Sequence, residues 1–563
     1  MRPFPKPHPT TAGHPTGRLS RLAVAALLAA SGSTQAFEID LGQPELTLRW
    51  DNSIRTNYAV RTEQRDPKIG NSALADEGTY SFDKGDAVAQ RIDLLSEMDL
   101  VWRKRHGLRV SATAWYDGAY GSSSRSNPNA PLTNIPSYVG KQYSSTTKHL
   151  YRGGTGEIMD AFVFGAVDLG EVPVNLRLGR HTVYWGESLL LGGNLHSIAY
   201  SQNPLDLQKG FATPGTEAKE LFRPLNQLSL QTQLSETLSL SAQYLLEWES
   251  DRFPEGGTYL GPVDFAFNGP DRQFLSAGLG FGLRTHAAEP KQRGEYGLSA
   301  RWSPAWLDGT LGAYYRNYAD KIPQTLLTTA APNASRYTLV YADGIDLFGL
   351  SLAKNIGGVS VGAEVSMRRN TPLNSQVLGV APGLPAQGET KGPRGDTWHA
   401  LVNGLGSIGK TPVFDSATWV AELVYSRWSK VRSGENLFNA VGYAPCKGKD
   451  KWDGCTTKDY VGIGLAFTPT WYQVLPGVDV SAPLTYAVGL SGNAATVFGG
   501  SEANGNYSIG VSADVQQKYR FDLKFIDYVG RYRDNGTAVT SQNGLTTFLR
   551  DRGFVSLTFK TTF

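Results

Sequence analysis

Segments of alternating polarity recur along the whole chain, and the gaps between them alternate short and long without exception. The segments lie near 46–60, 87–103, 107–120, 157–170, 172–185, 221–234, 237–250, 294–303, 308–319, 345–355, 358–369, 397–409, 416–428, 458–470, 478–492, 505–515, 519–530 and 552–563, eighteen in all. The short gaps are 104–106, 171, 235–236, 304–307, 356–357, 410–415, 471–477 and 516–518. The long ones are 61–86, 121–156, 186–220, 251–293, 320–344, 370–396, 429–457, 493–504 and 531–551. Successive side chains of a strand point to opposite faces, and a tilted strand crosses a bilayer in ~9–11 residues. Short periplasmic turns alternating with long outside loops are the pattern of bacterial barrels, whereas a soluble β-sandwich has no reason to sort its loops. The spacing therefore predicts an all-β fold, a transmembrane antiparallel β-barrel with both termini in the periplasm. It predicts eighteen strands, or sixteen if the weaker segments 157–170 and 397–409 are not strands.

Individual segments show two faces. At the C-terminus Val555, Leu557, Phe559, Thr561 and Phe563 oppose Ser556, Thr558, Lys560 and Thr562. Val359, Val361, Ala363, Val365 and Met367 oppose Ser360, Gly362, Glu364, Ser366 and Arg368, and Leu238 to Trp248 alternate with Ser239, Ser241, Gln243, Glu247 and Glu249. A Lys or Arg on the lipid face near mid-membrane costs ~2–4 kcal/mol, so charges sort to the lumen. Trp102, Trp302, Trp428 and Trp471 fall near strand ends and suit interfacial anchors, with plain packing as the alternative. A terminal Phe563 resembles the signal read by the barrel assembly machinery. The last strand is expected to pair with the first, around Leu46 to Tyr58, to leave no open edge.

The N-terminus agrees with export. Arg2, Lys6, Arg18 and Arg21 precede an apolar run at 22–30, and Thr34, Gln35 and Ala36 offer small residues for cleavage before Phe37. The run is nine residues, far short of the ~20 a spanning helix needs, so residues 1–36 read as a signal peptide. Without a linker or composition break, 37–563 reads as one barrel placed in the outer membrane of a Gram-negative bacterium, in contact with its lipid and lipopolysaccharide. The net charge of +3 gives no reason to expect nucleic acid. Cys446 and Cys455 are the only cysteines, and an exported chain favours a disulfide between them; a metal pair is the competing reading, with no His nearby.

Eighteen strands enclose an aqueous lumen unless something fills it. The segment before the first strand is too short for a globular plug. Segment 186–220, the third long loop, is the better candidate to fold inward and constrict the lumen, through Leu189, Leu190, Leu191, Asn194, His196, Asp206, Lys209 and Phe211. Its leucines are too apolar for a loop standing in water, so burial against the wall is expected. Loop 251–293, rich in Phe and Gly, is either a greasy vestibule or a self-packed outer loop. Expected lumen charges are mixed in sign: Arg91, Asp93, Glu97, Asp99, Arg109, Asp117, Arg177 and His181. Mixed signs oppose strong ion selectivity and suit a neutral or amphipathic solute; the bland alternative is mutual pairing that stiffens the wall. Gly-x-Ser-x-Gly and His-Glu-x-x-His are absent, and Ser188 with His196 is the nearest approach to a nucleophile and base. No catalytic residue, metal site or cofactor is expected.

The stretch Leu176-Arg177-Leu178-Gly179-Arg180-His181-Thr182-Val183-Tyr184-Trp185-Gly186-Glu187-Ser188, the leader ending in Ala36-Phe37 and the overall length resemble a proteobacterial family of exported proteins, number 1302 in the domain-of-unknown-function series. The resemblance covers the mature chain and implies an outer-membrane barrel. It also implies association with a second exported family and with inner-membrane exporters of the resistance–nodulation–division type, hence movement of a hydrophobic or lipid-like compound. It carries over no catalytic or binding residues. The expected function is thus a channel or transporter for hydrophobic or amphipathic small molecules. The alternatives are a porin for small hydrophilic solutes and a lipid-modifying barrel enzyme.

Overall fold

The computed structural model describes residues 37–129, 136–276, 278, 280–328, 333–375, 378–380 and 392–563; the expected signal peptide, 1–36, lies outside the described residues. Eighteen antiparallel strands close into one barrel. They are β1 (Leu46–Arg61), β2 (Ala87–Trp102), β3 (His106–Asp117), β4 (Gly153–Leu169), β5 (Val172–His181), β6 (Leu225–Gln233), β7 (Leu238–Leu245), β8 (Tyr296–Trp302) and β9 (Gly309–Tyr318). The circuit continues with β10 (Ile345–Ile356), β11 (Val359–Pro372), β12 (Arg394–Ile408), β13 (Ser416–Ser433), β14 (Asp459–Leu475), β15 (Val478–Ser481 with Leu484–Ser491), β16 (Gly505–Val515), β17 (Tyr519–Val529) and β18 (Phe554–Thr562). The two weak segments are both strands, β4 and β12. Short turns gather at one end of the barrel, with the start of β1 and the C-terminus, and long loops at the other. Among the described residues no helix is long and apolar enough to cross a membrane.

Closure is made by β18, which pairs with β17 on one side and with Ser53–Arg61 of β1 on the other. The register sits higher on β1 than the expected Leu46 to Tyr58. The chain's last residue completes it, because Phe563 and Asn52 exchange both backbone hydrogen bonds at 2.8 Å. Below that point β1 would expose an edge, and the short strand Phe37–Ile39 covers it by pairing with Trp50, Arg49 and Leu48. The outer face is apolar: Leu350, Leu298, Ile509, Val511 and Leu557 are each at least half exposed. The inner face carries the charges, as the cost of a lipid-facing charge requires.

Three local expectations are corrected. Strand β7 stops at Leu245, and Trp248 does not face lipid. Glu247 instead turns to accept hydrogen bonds from the Asn226 backbone N–H and side chain and from Arg180, and Trp248 buries against Tyr341, Ala319 and Leu339. Trp428 is not an interfacial anchor: it follows the inward residues Glu422, Val424 and Ser426 and packs edge-on against Phe438 and Tyr443. Strand β15 breaks before Pro483, which has no N–H for the ladder. The long loops also carry structure of their own. Arg272–Ser276, Gly280–Arg284, Gln324–Thr328, Ser335–Val340 and Leu378–Val380 form a five-stranded sheet at the loop end. Cys446 and Cys455 form a disulfide in the loop before β14.

Candidate functional site

After His181 the chain leaves the wall and does not rejoin it until Leu225. The first part of this segment lies against β11–β14. Glu364 of β11 accepts hydrogen bonds from the backbone N–H groups of Glu187, Ser188 (3.2 Å) and Ile198 (2.7 Å). Glu422 of β13 accepts from those of Leu189 (2.8 Å) and Leu190 (3.2 Å). Asn403 of β12 donates to the Glu187 carbonyl at 2.6 Å and to Glu422 at 3.1 Å. Two wall arginines take the opposite groups. Arg316 of β9 donates to the carbonyls of Ile198 and Tyr200 at 2.9 and 2.7 Å, and Arg368 of β11 to those of Leu195 and Ser197. Hydrogen bonds to a charged group contribute about 1.5–3 kcal/mol each, so this backbone grip is strong even after non-additivity.

The second part lies on the other side of the ring. Arg55 of β1 forms a buried pair with Glu220 at 2.7 Å and also donates to the Gly215 carbonyl. Lys219 pairs with Glu97 of β2, and Glu217 with Lys560 of β18. Asp206 caps the helix Leu207–Ala212 by accepting from the Lys209 N–H at 2.9 Å, and Lys209 lies 5.0 Å from the Trp115 ring of β3. The segment therefore runs as a strap from β11–β14 to β1–β3 and β18, across the ring.

The candidate constriction residues fall into two groups accordingly. Leu190 packs on Gly464 of β14, where any side chain would collide with it. Leu189 is 46 % exposed, so the expected burial of that leucine does not hold; its backbone N–H, not its side chain, holds it to the wall. The side chain of Leu191 lies outside the described residues. Asn194 is buried, and Phe211 is half-buried between two aromatic clusters. His196 stacks on Tyr460 and meets His399 of β12, Nδ1 to Nδ1, at 3.1 Å. Because His196 Nε2 must donate to the Gly499 carbonyl, its Nδ1 accepts from His399, whose Nε2 accepts from Thr397. Both rings are neutral in this chain of bonds. Ser188 donates to the Leu190 carbonyl, so Ser188 and His196 do not form a nucleophile–base pair.

The candidate lumen charges mostly satisfy one another. Arg91 pairs with Asp93, which also lies 3.5 Å from Arg55. Arg109 bridges Glu97, Asp99 and Asp160 at 2.5, 2.9 and 3.2 Å. Asp117 accepts backbone N–H groups of Gln90 and Ala119, and His181 bonds Ser229. Arg177 lies over the Phe162 ring. The family described as "Protein of unknown function (DUF1302)" matches residues 18–563. The chain belongs to that family. No curated protein matches it. Solved structures similar to this DUF1302 chain include OpdK with vanillate from Pseudomonas aeruginosa, at 10 % identity and TM-score 0.39 over 92 % of this chain and 98 % of that one. A BenF-like porin from Pseudomonas fluorescens Pf-5 matches at 9 % identity and TM-score 0.41 over the same shares. OccAB1 from Acinetobacter baumannii matches at 9 % and 0.41, over 92 % of this chain and 96 % of that one. Scores of this size leave the fold of the DUF1302 barrel resting on its own strand pairing.

The residues that sequence reasoning missed in this DUF1302 barrel are the wall groups that hold the strap: Glu364, Glu422, Asn403, Arg316 and Arg368. Glu364 and Arg368 were legible as inward-facing, but nothing in their spacing said that their partners were backbone groups. The one available signal was an inward Glu on each of two strands, β11 and β13, with no opposite charge at the paired positions Leu401 and Asn403 of β12.

Proposed function

We propose that the chain is an outer-membrane channel that passes hydrophobic or amphipathic small molecules, lipid-like compounds among them, through a lumen narrowed by the 186–220 strap. The observation that carries the reading is the strap's attachment to both sides of the ring. A segment held this way narrows the route, and Ser188 donates to the Leu190 carbonyl rather than pairing with His196. Placement in the outer membrane is supported by the apolar outer face and by half-exposed Trp102 and Trp302 at strand ends. An apolar solute is what the family resemblance implies; the loop-end aromatics Phe82, Tyr120 and Tyr259, and Phe253 with Phe267, are buried against one another.

A second reading, a porin for small hydrophilic solutes, is favoured by the turn-end lumen, where Arg109, Glu97, Asp99 and Asp160 make a polar surface. Liposome swelling separates the two. Slow sugar entry beside rapid uptake of an apolar solute is expected; rapid sugar flux contradicts the apolar reading.

A further inference from the structure

Loop 251–293 packs against opposite walls at the loop end. Its Tyr259 and Leu260 share a buried cluster with Ala59 of β1, Val88 of β2 and Phe554 of β18. Its Phe253 and Phe267 share another with Tyr314 and Tyr318 of β9 and Leu347 of β10. The loop therefore roofs the barrel axis with buried side chains. The wall beside the roof has a gap. The ladder between β4 and β5 ends at Ala161↔Arg180, whereas β4 runs on to Gly153 with only β3 beside it. Strands β5 and β6 end together where His181 pairs with Leu225, and β7 ends at Leu245. Among the described residues no strand takes the free side of 153–159. An open sheet edge is not tolerated within the hydrocarbon of a bilayer, which puts this one at the outer lipid interface. Ile158 of β4, 60 % exposed, and Tyr244 of β7, 44 % exposed, suit that level on the two sides of the gap.

Across the gap, side-chain pairs stand in for the ladder. Arg180, near the end of β5, pairs with Glu247 and Glu249. Arg252 donates to both carboxylate oxygens of Glu157 on β4, at 2.8 and 2.9 Å. Packing there is loose: a cavity of about 660 Å³ lies between His149 and Leu150, just before β4, and residues 247–253. A partly exposed ion pair separates far more readily than backbone bonds inside lipid. Arg252 also holds the strap. Its side chain reaches Asp206 at 3.3 Å, its N–H donates to the Leu205 carbonyl, and its carbonyl accepts from the Leu207 N–H. Gap and strap thus share one residue.

We infer that the outer mouth of the channel is lateral: the solute passes between the lumen and the outer leaflet through the gap between β4 and residues 247–252, with Glu157–Arg252 as the latch. The inference rests on the channel reading and adds its route. An amphipathic molecule suits this mouth, its polar end at the paired charges and its apolar end along Ile158 and Tyr244. Uptake of 1-N-phenylnaphthylamine by cells of a Gram-negative host, with and without the barrel, tests it. In a Glu157→Cys, Arg252→Cys barrel bridged by a thiol-cleavable bis-methanethiosulfonate reagent, uptake should fall to that of barrel-free cells. Cleavage by reductant should return it at least to the native level, with the native barrel under the same reductant as the control for its own disulfide. The same bridge at Asp396→Cys, Arg432→Cys, across the paired strands β12 and β13, should change nothing. Glu157→Ala frees only the wall side, because Arg252 keeps its bonds to the strap, and should raise uptake severalfold. Undiminished uptake in the bridged Glu157→Cys, Arg252→Cys barrel, or an equal loss with the Asp396→Cys, Arg432→Cys bridge, overturns the lateral mouth. Uptake by Glu157→Ala at or below the native level overturns the latch. Native uptake no faster than that of barrel-free cells overturns the channel reading and this route with it, so the two failures are distinguishable.

Discussion

On the β11–β13 wall, Glu364 and Glu422 grip the strap through its backbone N–H groups, whereas on the β1–β3 wall Arg55 and Glu97 meet it through charged side chains. The two arrangements respond differently to change. A carboxylate that accepts main-chain N–H groups is indifferent to the strap's side chains but depends on its path. The close approach of Gly193 to Glu422 fits this, since any side chain at Gly193 would collide with that carboxylate. A side-chain pair such as Arg55–Glu220 tolerates small shifts of path but depends on the two charges.

The largest effect is expected from the backbone grip. Glu364→Ala removes the acceptor of three N–H groups at once, and with Glu422→Ala five are lost, a loss of several kcal/mol at about 1.5–3 kcal/mol for each charged bond. Hydrogen exchange at 187–190 should then rise by orders of magnitude, while 217–220 keeps most of its protection. Next comes the side-chain wall. Arg55→Ala leaves Glu220 buried without its cation, at a cost of about 3–5 kcal/mol, while Asp93 keeps Arg91. The Arg55→Ala, Glu220→Ala double variant should recover part of that in a thermal-unfolding cycle. A cycle pairing Glu364→Ala with Ser188→Ala should show no comparable coupling, because Glu364 holds the Ser188 main chain.

Smaller still is a pH effect confined to the loop end above β1–β3. Asp76, Glu77 and Asp264 are buried together, with Asp264 accepting from the backbone N–H groups of Glu77 (3.2 Å) and Gly78 (3.4 Å). Burial, and then the charge of Asp264, push Asp76 up to about 9 and Glu77 to about 8; burial pushes Asp264 to about 6 against the pull of its backbone donors and Arg552. Because these pKa values are raised above ordinary carboxyl values, the stability they contribute is full below about pH 4 and is lost as pH rises through about 6 to 9. Protection factors of the amides around 75–80 should fall over that range. The smallest effect is expected from Ser188→Ala, which removes only a bond to the Leu190 carbonyl and should leave solute uptake by liposomes unaltered.

Much of the barrel was legible in the sequence because its physics is periodic. Charges on one face and apolar residues on the other repeat every two residues, and the turn and loop lengths sort by end. The strap's position followed from its unusual apolarity, but its manner of attachment did not: Leu189 suggested a buried side chain, and the structure uses its N–H. Trp248 misled for a related reason, since its alternation continues past Leu245 although Glu247 has already drawn the chain out of the ladder. The loop-end sheet was not legible either, because short strands that pair across distant loops leave no local periodicity.

The strap, held at both walls, is proposed to set what passes through the lumen. Single-channel conductance in planar bilayers tests it most directly when the native barrel is compared with the Glu364→Ala, Glu422→Ala variant. Small or absent conductance is expected in the native barrel, and a severalfold larger open level in the variant. An identical current–voltage relation in the two proteins would contradict it.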